Sequence, residues 1–184
     1  KSSSALVHIL GIRGKGESGL SAQELQMIFA EATRDGAIEE ESGAILSGVV
    51  KLSERPVREL MTPRTEVDLI DKDADAAEMR RVIEETPHSL LPVADGSPDT
   101  ILGVVKVREI LAFLLAGRTP KLTKMMAKPA IVPDQLDALD VMRSLQDSGV
   151  GMAMVHDEYG HFEGVVTPAD LLEAIVGGFA SHMD

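Results

Sequence analysis

The chain has 184 residues, of which 44% are hydrophobic and 26% are charged, and 30 acidic against 18 basic residues give a formal net charge of −12. This length and composition allow one substantial core or two small ones and are typical of a globular protein. The negative charge and an aromatic content of 3% argue against nucleic acid as a partner, because phosphates would be repelled and bases would find few stacking surfaces. There is no apolar run as long as a membrane span, about 18 residues. Together with the absence of cysteine, this favours a reducing, cytoplasmic setting.

The first predicted elements are a flexible leading stretch and two helices. Residues 1–18, rich in serine and glycine, are expected to form the leading stretch. Ser21 and Glu24 have the spacing of a capping box, and apolar residues then recur at helical spacing. The acidic run 39–41 suits the start of a second helix that ends before Pro56. The two helices can form a lever, or they can simply pack on the rest of the domain.

From Val57 onward the chain repeats itself at a shift near 62 residues, so that Val93 aligns with Val155. After one turn residue is dropped, Gly103 aligns with Gly164. Each copy has the pattern strand, helix, strand, strand, helix, and in the first copy these elements are predicted at 67–70, 76–85, 90–94, 101–105 and 107–115. A unit of about 60 residues buries too little surface to be stable alone. The two copies are therefore expected to stack their sheets into one pseudo-symmetric core.

The last strand and the last helix of the second copy meet at a polar junction. Thr167 is predicted to cap the helix and Pro168 to be its first residue, with Asp170 three residues after the cap. The helix is expected to stop at Gly177-Gly178. Because a helix start offers free N–H groups and partial positive charge, phosphate is favoured there, with the hydroxyl and the carboxylate gripping phosphate and sugar. The same two side chains can equally be no more than a cap.

Other polar clusters along the chain do not predict a metal or catalytic site. Residues 71–75 imitate the start of an EF-hand loop, but the glycine and the glutamate expected at positions six and twelve are missing. Residues 156–161 carry two histidines and two carboxylates on a stretch interrupted by Gly160, which is typical of a hairpin turn. The pairs predicted to cap helices are Asp75 with Glu78 and Asp134 with Asp137. No metal ligands and no catalytic residues are predicted.

The tandem β-α-β-β-α unit, with the strand Leu91-Pro92-Val93 and the terminal Gly-apolar-apolar-Thr-x-x-Asp, resembles a pair of cystathionine-β-synthase (CBS) domains, a Bateman module. The segment Val57-Arg58-Glu59-Leu60-Met61-Thr62-Pro63-Arg64-Thr65-Glu66-Val67 is similar to the first CBS domain of the CorC/CorB family. That family is related to animal CNNM proteins and is often labelled hemolysin-like or magnesium and cobalt efflux. The turn Asp157-Glu158-Tyr159-Gly160 fits the same family.

The resemblance implies an α+β fold in which two tandem β-α-β-β-α CBS repeats with pseudo-two-fold symmetry follow a helical linker. The expected domains are a leading stretch from a missing membrane domain (1–18), a two-helix linker (19–55), repeat 1 (56–118), repeat 2 (119–178) and a tail (179–184). The chain would then be a non-enzymatic regulatory module at the cytoplasmic face of a membrane magnesium or cobalt efflux-type transporter. Its expected partners are an adenosine nucleotide, a second copy of itself and the transmembrane domain. A purely structural dimerisation module is the alternative.

CBS pairs of this kind bind ATP or AMP as a regulatory ligand, and Mg²⁺ can accompany ATP by neutralising its phosphates. The resemblance places Thr167, Pro168 and Asp170 of repeat 2 beside the phosphate and the ribose. From repeat 1 the implied nucleotide-binding residues are Thr62, Arg64, Val67, His88, Ser89, Leu91 and Pro92. Arg64 can add a planar donor fork for phosphate or can be a surface charge in a turn. His88 can likewise be a surface residue.

The two repeats depart from each other at the polar junction. Lys106 and Glu109 of repeat 1 stand where repeat 2 has Thr167 and Asp170, so only one good nucleotide site is expected. Ala169 stands where this subfamily often has an acidic residue, which leaves the phosphate end of the site less negative.

Overall fold

The structure is a computed structural model that describes residues 20–180 and the side chains of these residues up to 176. The predicted leading stretch and most of the predicted tail lie outside this part. Its α-helices are α1 (Ala22–Arg34), α2 (Glu40–Ser53), α3 (Ala76–Glu85), α4 (Val107–Leu115), α5 (Leu122–Met125), α6 (Ala138–Ser148) and α7 (Pro168–Ala180). Its strands are β1 (Thr62–Pro63), β2 (Ile70–Asp71), β3 (Leu90–Ala94), β4 (Ile101–Lys106), β5 (Ala130–Pro133), β6 (Ala153–His156) and β7 (Phe162–Val166). None of these helices combines the length and hydropathy that crossing a bilayer requires.

The two linker helices form as predicted. The Ser21 hydroxyl accepts a hydrogen bond from the Glu24 N–H at 3.2 Å, and the Glu24 carboxylate accepts one from the Ser21 N–H at 2.7 Å, which completes the capping box of α1. Helix α1 buries no residue and packs on α2. Helix α2 in turn places Leu52 in the core, at 1% exposure. The linker is therefore anchored to the repeats through its second helix.

The internal repeat is confirmed by the topology of the two sheets. One sheet has the order β2-β3-β4 and the other the order β1-β7-β6-β5. In each repeat a parallel pair, β2 with β3 or β5 with β6, is followed by an antiparallel hairpin. Even the irregularity of the hairpin recurs, between Val93 and Ala94 in repeat 1 and between Val155 and His156 in repeat 2.

Each repeat also receives the segment that leads into the other one. Thr62, in the leading segment of repeat 1, pairs with Val165 of β7, and Ala127, in the leading segment of repeat 2, bridges to Val104 of β4. The crossings require glycine at two equivalent positions. A Cβ on Gly164 would lie 2.2 Å from the Thr62 carbonyl oxygen, and one on Gly103 would lie 2.8 Å from the corresponding oxygen of Ala127. This mutual exchange joins the two halves at their backbones.

Three clusters of buried side chains make up the core. One belongs to repeat 1 and one to repeat 2 with Leu52 of the linker. The third consists of Val104 from repeat 1 and Met152, Met154, Phe162 and Val165 from repeat 2. Because it joins residues of both sheets, the predicted stacking of the two sheets is confirmed.

Three local predictions are wrong. The strand predicted at 67–70 is only Ile70–Asp71, since residues 66–68 line a cavity instead of continuing the sheet. Helix α7 runs past Gly177-Gly178 to Ala180, and its packing along α2 outweighs the low helix propensity of glycine.

The third wrong prediction is the cap of α6. Asp134 is buried and its carboxylate lies 3.4 Å from Arg58 Nη1. Asp137 occupies the cap position without a side-chain hydrogen bond. The Arg55 carbonyl accepts the Ala138 N–H at 3.1 Å instead, so the leading segment of repeat 1 satisfies this helix end.

Candidate functional site

A cavity of about 510 Å³ opens between the two repeats. This volume is within the range of small-molecule sites, roughly 300–1,000 Å³. Eight of the ten residues predicted to bind nucleotide line it: Thr62, Val67, His88, Ser89, Pro92, Thr167, Pro168 and Asp170. The structure thus brings together residues from the beginning of repeat 1 and residues from the end of repeat 2.

One end of the cavity is the start of α7. The backbone N–H of Thr167 donates to Asp170 Oδ2 at 2.7 Å, and the Thr167 hydroxyl donates to the same oxygen at 2.8 Å. The N–H groups of Ala169 and Asp170 lie in the first turn of α7, where a helix provides no carbonyl partner. Free N–H groups and the positive end of the helix dipole make this end suitable for an anion.

The opposite wall comes from repeat 1 and combines apolar with polar side chains; its apolar part matters for a ring. Val67, Leu90 and Pro92 line it, and Met152 of repeat 2 adds to the same surface. The segment before β3 is held in place because the Ser89 carbonyl accepts the Val107 N–H at 3.0 Å. Such walls can bury a flat aromatic ring, while the polar end fixes its orientation.

Two predicted site residues lie outside this lining. Arg64 points to the surface, where its Nη1 is 2.6 Å from Asp99 Oδ1, and its backbone N–H donates to the Glu163 carbonyl at 2.8 Å. Leu91 is fully buried in the core of repeat 1. Because side chains alternate along a strand, Leu90 and Pro92 face the cavity while Leu91 faces away from it.

Sequence reasoning missed two acidic residues of the lining, Glu66 and Asp68. The Asp68 carboxylate accepts a hydrogen bond from the Thr86 hydroxyl at 2.7 Å and lies 3.9 Å from His88 Nε2. Both residues flank Val67, which the sequence did predict. A strand at 67–70 would have alternated its side chains, whereas the observed loop lets three consecutive residues line the cavity.

The CBS domain family model matches residues 57–116 and 122–177. The chain belongs to the CBS domain family, as a tandem pair. The CBS domain of the bacterial CNNM/CorC family Mg²⁺ transporter is 35% identical, with a TM-score of 0.76 over 86% of this chain and 98% of that one. This pair is therefore of the CNNM/CorC type, and the resemblance read from the sequence is confirmed, as is the implied fold.

Two solved structures of relatives contain a bound nucleotide. The same CNNM/CorC CBS domain has been solved in complex with ATP, at 34% identity and a TM-score of 0.67, over 74% of this chain and 98% of that one. A CBS-domain pair from Klebsiella pneumoniae has been solved with bound AMP, at 27% identity and a TM-score of 0.58, over 66% of this chain and 98% of that one.

Two curated relatives extend beyond the CBS pair. A UPF0053 protein of Synechocystis is 35% identical over 96% of this chain, and the UPF0053 inner membrane protein YoaE of Escherichia coli K12 is 36% identical over 79%. The chain spans 39% of the first and 28% of the second. The CBS pair thus corresponds to a minor part of each relative.

A second cavity, which we call the second mouth, lies at the start of α4, the position in repeat 1 that is equivalent to the start of α7, and its volume is much smaller. Its cavity measures about 220 Å³ and is lined by Lys106 and Glu109, with Met125 and Ala127 of the leading segment of repeat 2. Lys106 Nζ lies 3.6 Å from Glu109 Oε1, so the two charges that replace the hydroxyl and the short carboxylate face each other.

The polar clusters rejected as metal sites form turns. Asp157 Oδ1 accepts the N–H groups of Tyr159 at 2.9 Å and His161 at 2.8 Å, which shapes the predicted hairpin turn. The hydrogen bond and charge of Asp157 raise the pKa of His161. Asp75 caps α3 through its carboxylate, as predicted. Within the described residues, no group of three or more His, Cys, Asp or Glu side chains is arranged to hold a metal ion.

Proposed function

We propose that this CBS pair is a regulatory module that binds an adenosine nucleotide, ATP or AMP, between its repeats. One observation carries the proposal: the start of α7, with Thr167 and Asp170, faces a cavity whose other wall carries Thr62, Val67 and His88 of repeat 1. A helix end with free N–H groups, opposite a wall that contains apolar side chains, matches a ligand with a phosphate at one end and a flat ring at the other. The ATP and AMP complexes of relatives support the same ligand class.

The hydrogen bonds at the helix start suggest how binding proceeds. In the structure Thr167 and Asp170 satisfy each other through a shared carboxylate oxygen. Ribose hydroxyls donate to Asp170 in the bound state, and the Thr167 hydroxyl is then free to donate to a phosphate oxygen. The exchange keeps every polar group paired, so that binding leaves no buried donor or acceptor unsatisfied.

In the proposed complex, Mg²⁺ offsets the negative charge of the nucleotide and of the cavity lining. Among the described residues, the cavity is lined by the carboxylates of Glu66, Asp68 and Asp170 and by no lysine or arginine. A triphosphate would add further negative charge to this lining. Mg²⁺ bound to the phosphates reduces that repulsion, since it supplies the positive charge that the lining lacks. We therefore assign Mg²⁺ to the nucleotide and not to a protein site of its own.

The nucleotide site is connected to the linker by α7 itself. Thr167 begins this helix, and two turns later the Ile175 backbone contacts Gly48 of α2. A ligand that shifts α7 therefore shifts α2, and with it the connection toward the membrane part of the parent protein. Because YoaE is an inner membrane protein, we propose that this pair lies at the cytoplasmic face of a membrane and regulates a transporter of the magnesium or cobalt efflux type. We assign it no catalytic reaction.

A structural role in dimerisation is the second candidate, and exposed apolar side chains favour it. Leu111 and Leu115 of α4 are 41% and 80% exposed, and Leu172 and Val176 of α7, at equivalent positions of repeat 2, are 59% and 51% exposed. A patch repeated on both halves is suited to a homodimer. Dimerisation alone leaves the cavity unexplained, so we propose a homodimer that also binds nucleotide.

Calorimetric titration of the wild-type chain with ATP and AMP, with and without Mg²⁺, tests the proposal. Thr167→Ala with Asp170→Ala should weaken binding at least tenfold, because ribose and phosphate both lose a partner. Asp75→Ala is the matched control, since it removes a helix cap outside the cavity. If the wild type binds neither nucleotide at millimolar concentration, the nucleotide proposal fails; if the double variant binds like the control, Thr167 and Asp170 only cap the helix and do not hold the nucleotide.

A further inference from the structure

Asp68 is anchored so that one of its carboxylate oxygens is available to a ligand. Its Oδ2 accepts the Thr86 hydroxyl at 2.7 Å, while Thr86 Oγ1 itself accepts the His88 N–H at 3.2 Å. The Thr86 hydroxyl hydrogen is thus committed to Asp68, and the backbone of the cavity wall fixes Thr86. Among the backbone and side-chain groups that the structure describes, none donates a hydrogen bond to Asp68 Oδ1, and Asp68 lines the cavity.

The neighbours of Asp68 decide which part of a nucleotide it meets. The phosphates belong at the α7 start, where N–H groups and the helix dipole favour them. Asp68 belongs to repeat 1, beside Val67 and the segment before β3. Its hydrogen bond to Thr86 holds Asp68 beside the segment that leads into β3, and Leu90 and Pro92 of that strand are, with Val67, the apolar side chains suited to a flat base.

A carboxylate offers only hydrogen-bond acceptors, so a ligand group that faces it must be a donor. Adenine has an exocyclic amine, which donates. Hypoxanthine and guanine have a carbonyl oxygen at the same ring position, which only accepts. Two acceptors that face each other in a partly enclosed site lose their hydrogen bonds to water without a replacement.

We propose that Asp68, oriented by Thr86, makes this site specific for adenine by accepting a hydrogen bond from its exocyclic amine. The inference rests on the proposed nucleotide function and goes beyond it by naming the residue that distinguishes one purine from another. Thr86 is a positioning residue, because it acts only through Asp68. The expected preference for ATP over ITP is about tenfold, the usual consequence of one mismatched hydrogen bond at a half-exposed group.

Calorimetry with ATP and ITP, both with Mg²⁺, tests the inference on three variants. Asp68→Asn should remove most of the preference, mainly through tighter binding of ITP, because an amide can present either an oxygen or an NH₂ group. Thr86→Val should reduce the preference partly, since Asp68 loses its anchor. Glu66→Gln, the matched control, removes a neighbouring charge from the same lining and should keep the preference.

The outcomes separate the two proposals. If the wild type binds ATP and ITP equally, or if Asp68→Asn weakens both by the same factor, Asp68 does not read the base although the cavity binds nucleotides. If neither nucleotide binds the wild type, the proposed function itself fails and this inference fails with it. Thermal unfolding of each variant shows whether it is folded, and a loss of preference counts only in variants that melt as cooperatively as the wild type.

Discussion

Gly48 of α2 lies so close to Ile175 of α7 that a Cβ on Gly48 would be 2.6 Å from the Ile175 carbonyl oxygen. The atom in the way belongs to a backbone, so a side chain at position 48 forces one of the two helices to move. Gly48→Ala is therefore expected to lower the free energy of unfolding by about 1–3 kcal/mol, the usual cost of overpacking, although alanine is the better helix former. Chemical denaturation followed by circular dichroism measures this difference.

Gly43→Ala is the matched control for the same helix. Its new Cβ would meet the Thr33 side chain, at 2.2 Å from Oγ1, and a side chain can change rotamer where a backbone cannot. We expect Gly43→Ala to cost less than Gly48→Ala, although the rotation breaks the hydrogen bond that Thr33 Oγ1 donates to the Phe29 carbonyl. If the free energy of unfolding falls equally in both variants, the contact between α2 and α7 is no tighter than the contact between α1 and α2.

The second mouth should remain without a nucleotide even when its side chains are changed. Lys106→Thr with Glu109→Asp copies the residue types of the α7 start into repeat 1, yet the cavity there measures about 220 Å³ against about 510 Å³ for the candidate site. Calorimetry with ATP and Mg²⁺ should still give one nucleotide per chain. Two equivalents per chain would show that the polar residues, and not the available space, decide which mouth is used.

Much of this molecule could be predicted from its sequence because the determining interactions are local or repeated. The capping box at Ser21 depends on neighbours three residues apart. The alignment of Gly103 with Gly164 predicted two like halves, and both glycines are now seen at equivalent crossings. Thr167 and Asp170 could be predicted as a helix start because each is within one turn of the other.

What could not be predicted depends on contacts between distant segments. The motif left Arg64 as either a phosphate ligand or a surface charge, and it could not predict the ion pair with Asp99 on another turn. Asp134 reads as a cap, but the Arg55 carbonyl already satisfies the helix start. Asp68 could not be predicted as a lining residue, because the apolar pattern indicates a strand from residue 67 whereas β2 begins at Ile70. In each case the partner is far away in the chain, so periodicity and spacing contain no information about it.

The Asp157–His161 turn should make stability depend on pH in two directions. Hydrogen bonding to Asp157 raises the pKa of His161 above its ordinary value of 6.5. A raised histidine pKa stabilises the fold fully below 6.5, and this contribution is lost as the pH rises through the higher folded value. Burial opposes ionisation of Asp157, but hydrogen bonds from His161 and Tyr159 outweigh it and hold the pKa of its carboxyl below 3.8.

The contribution of the pair is thus largest between these two ordinary values and declines above about pH 6.5. Thermal unfolding from pH 5 to 9 should show this decline in the wild type and a smaller one in His161→Gln, which keeps the size and polarity of the side chain without the titration. Identical pH profiles for the two proteins would show that His161 does not contribute to the decline, and the lowered pKa of His156 could not replace it, because that shift makes stability rise with pH.

The last prediction concerns the apolar patch on α4 and α7, formed by Leu111, Leu115, Leu172 and Val176. Leu115 is 80% exposed, so a charge at this position costs the isolated chain almost nothing but is strongly unfavourable in a buried interface. We expect the wild type to be a dimer at micromolar concentration in sedimentation equilibrium and Leu115→Glu to be a monomer with an unchanged unfolding transition of the single chain. Met27→Glu, on the exposed face of α1 at 72% exposure, is the control and should leave the dimer intact. If Met27→Glu dissociates the protein and Leu115→Glu does not, the copies meet through the linker helices. A wild type that stays monomeric would contradict the homodimer altogether.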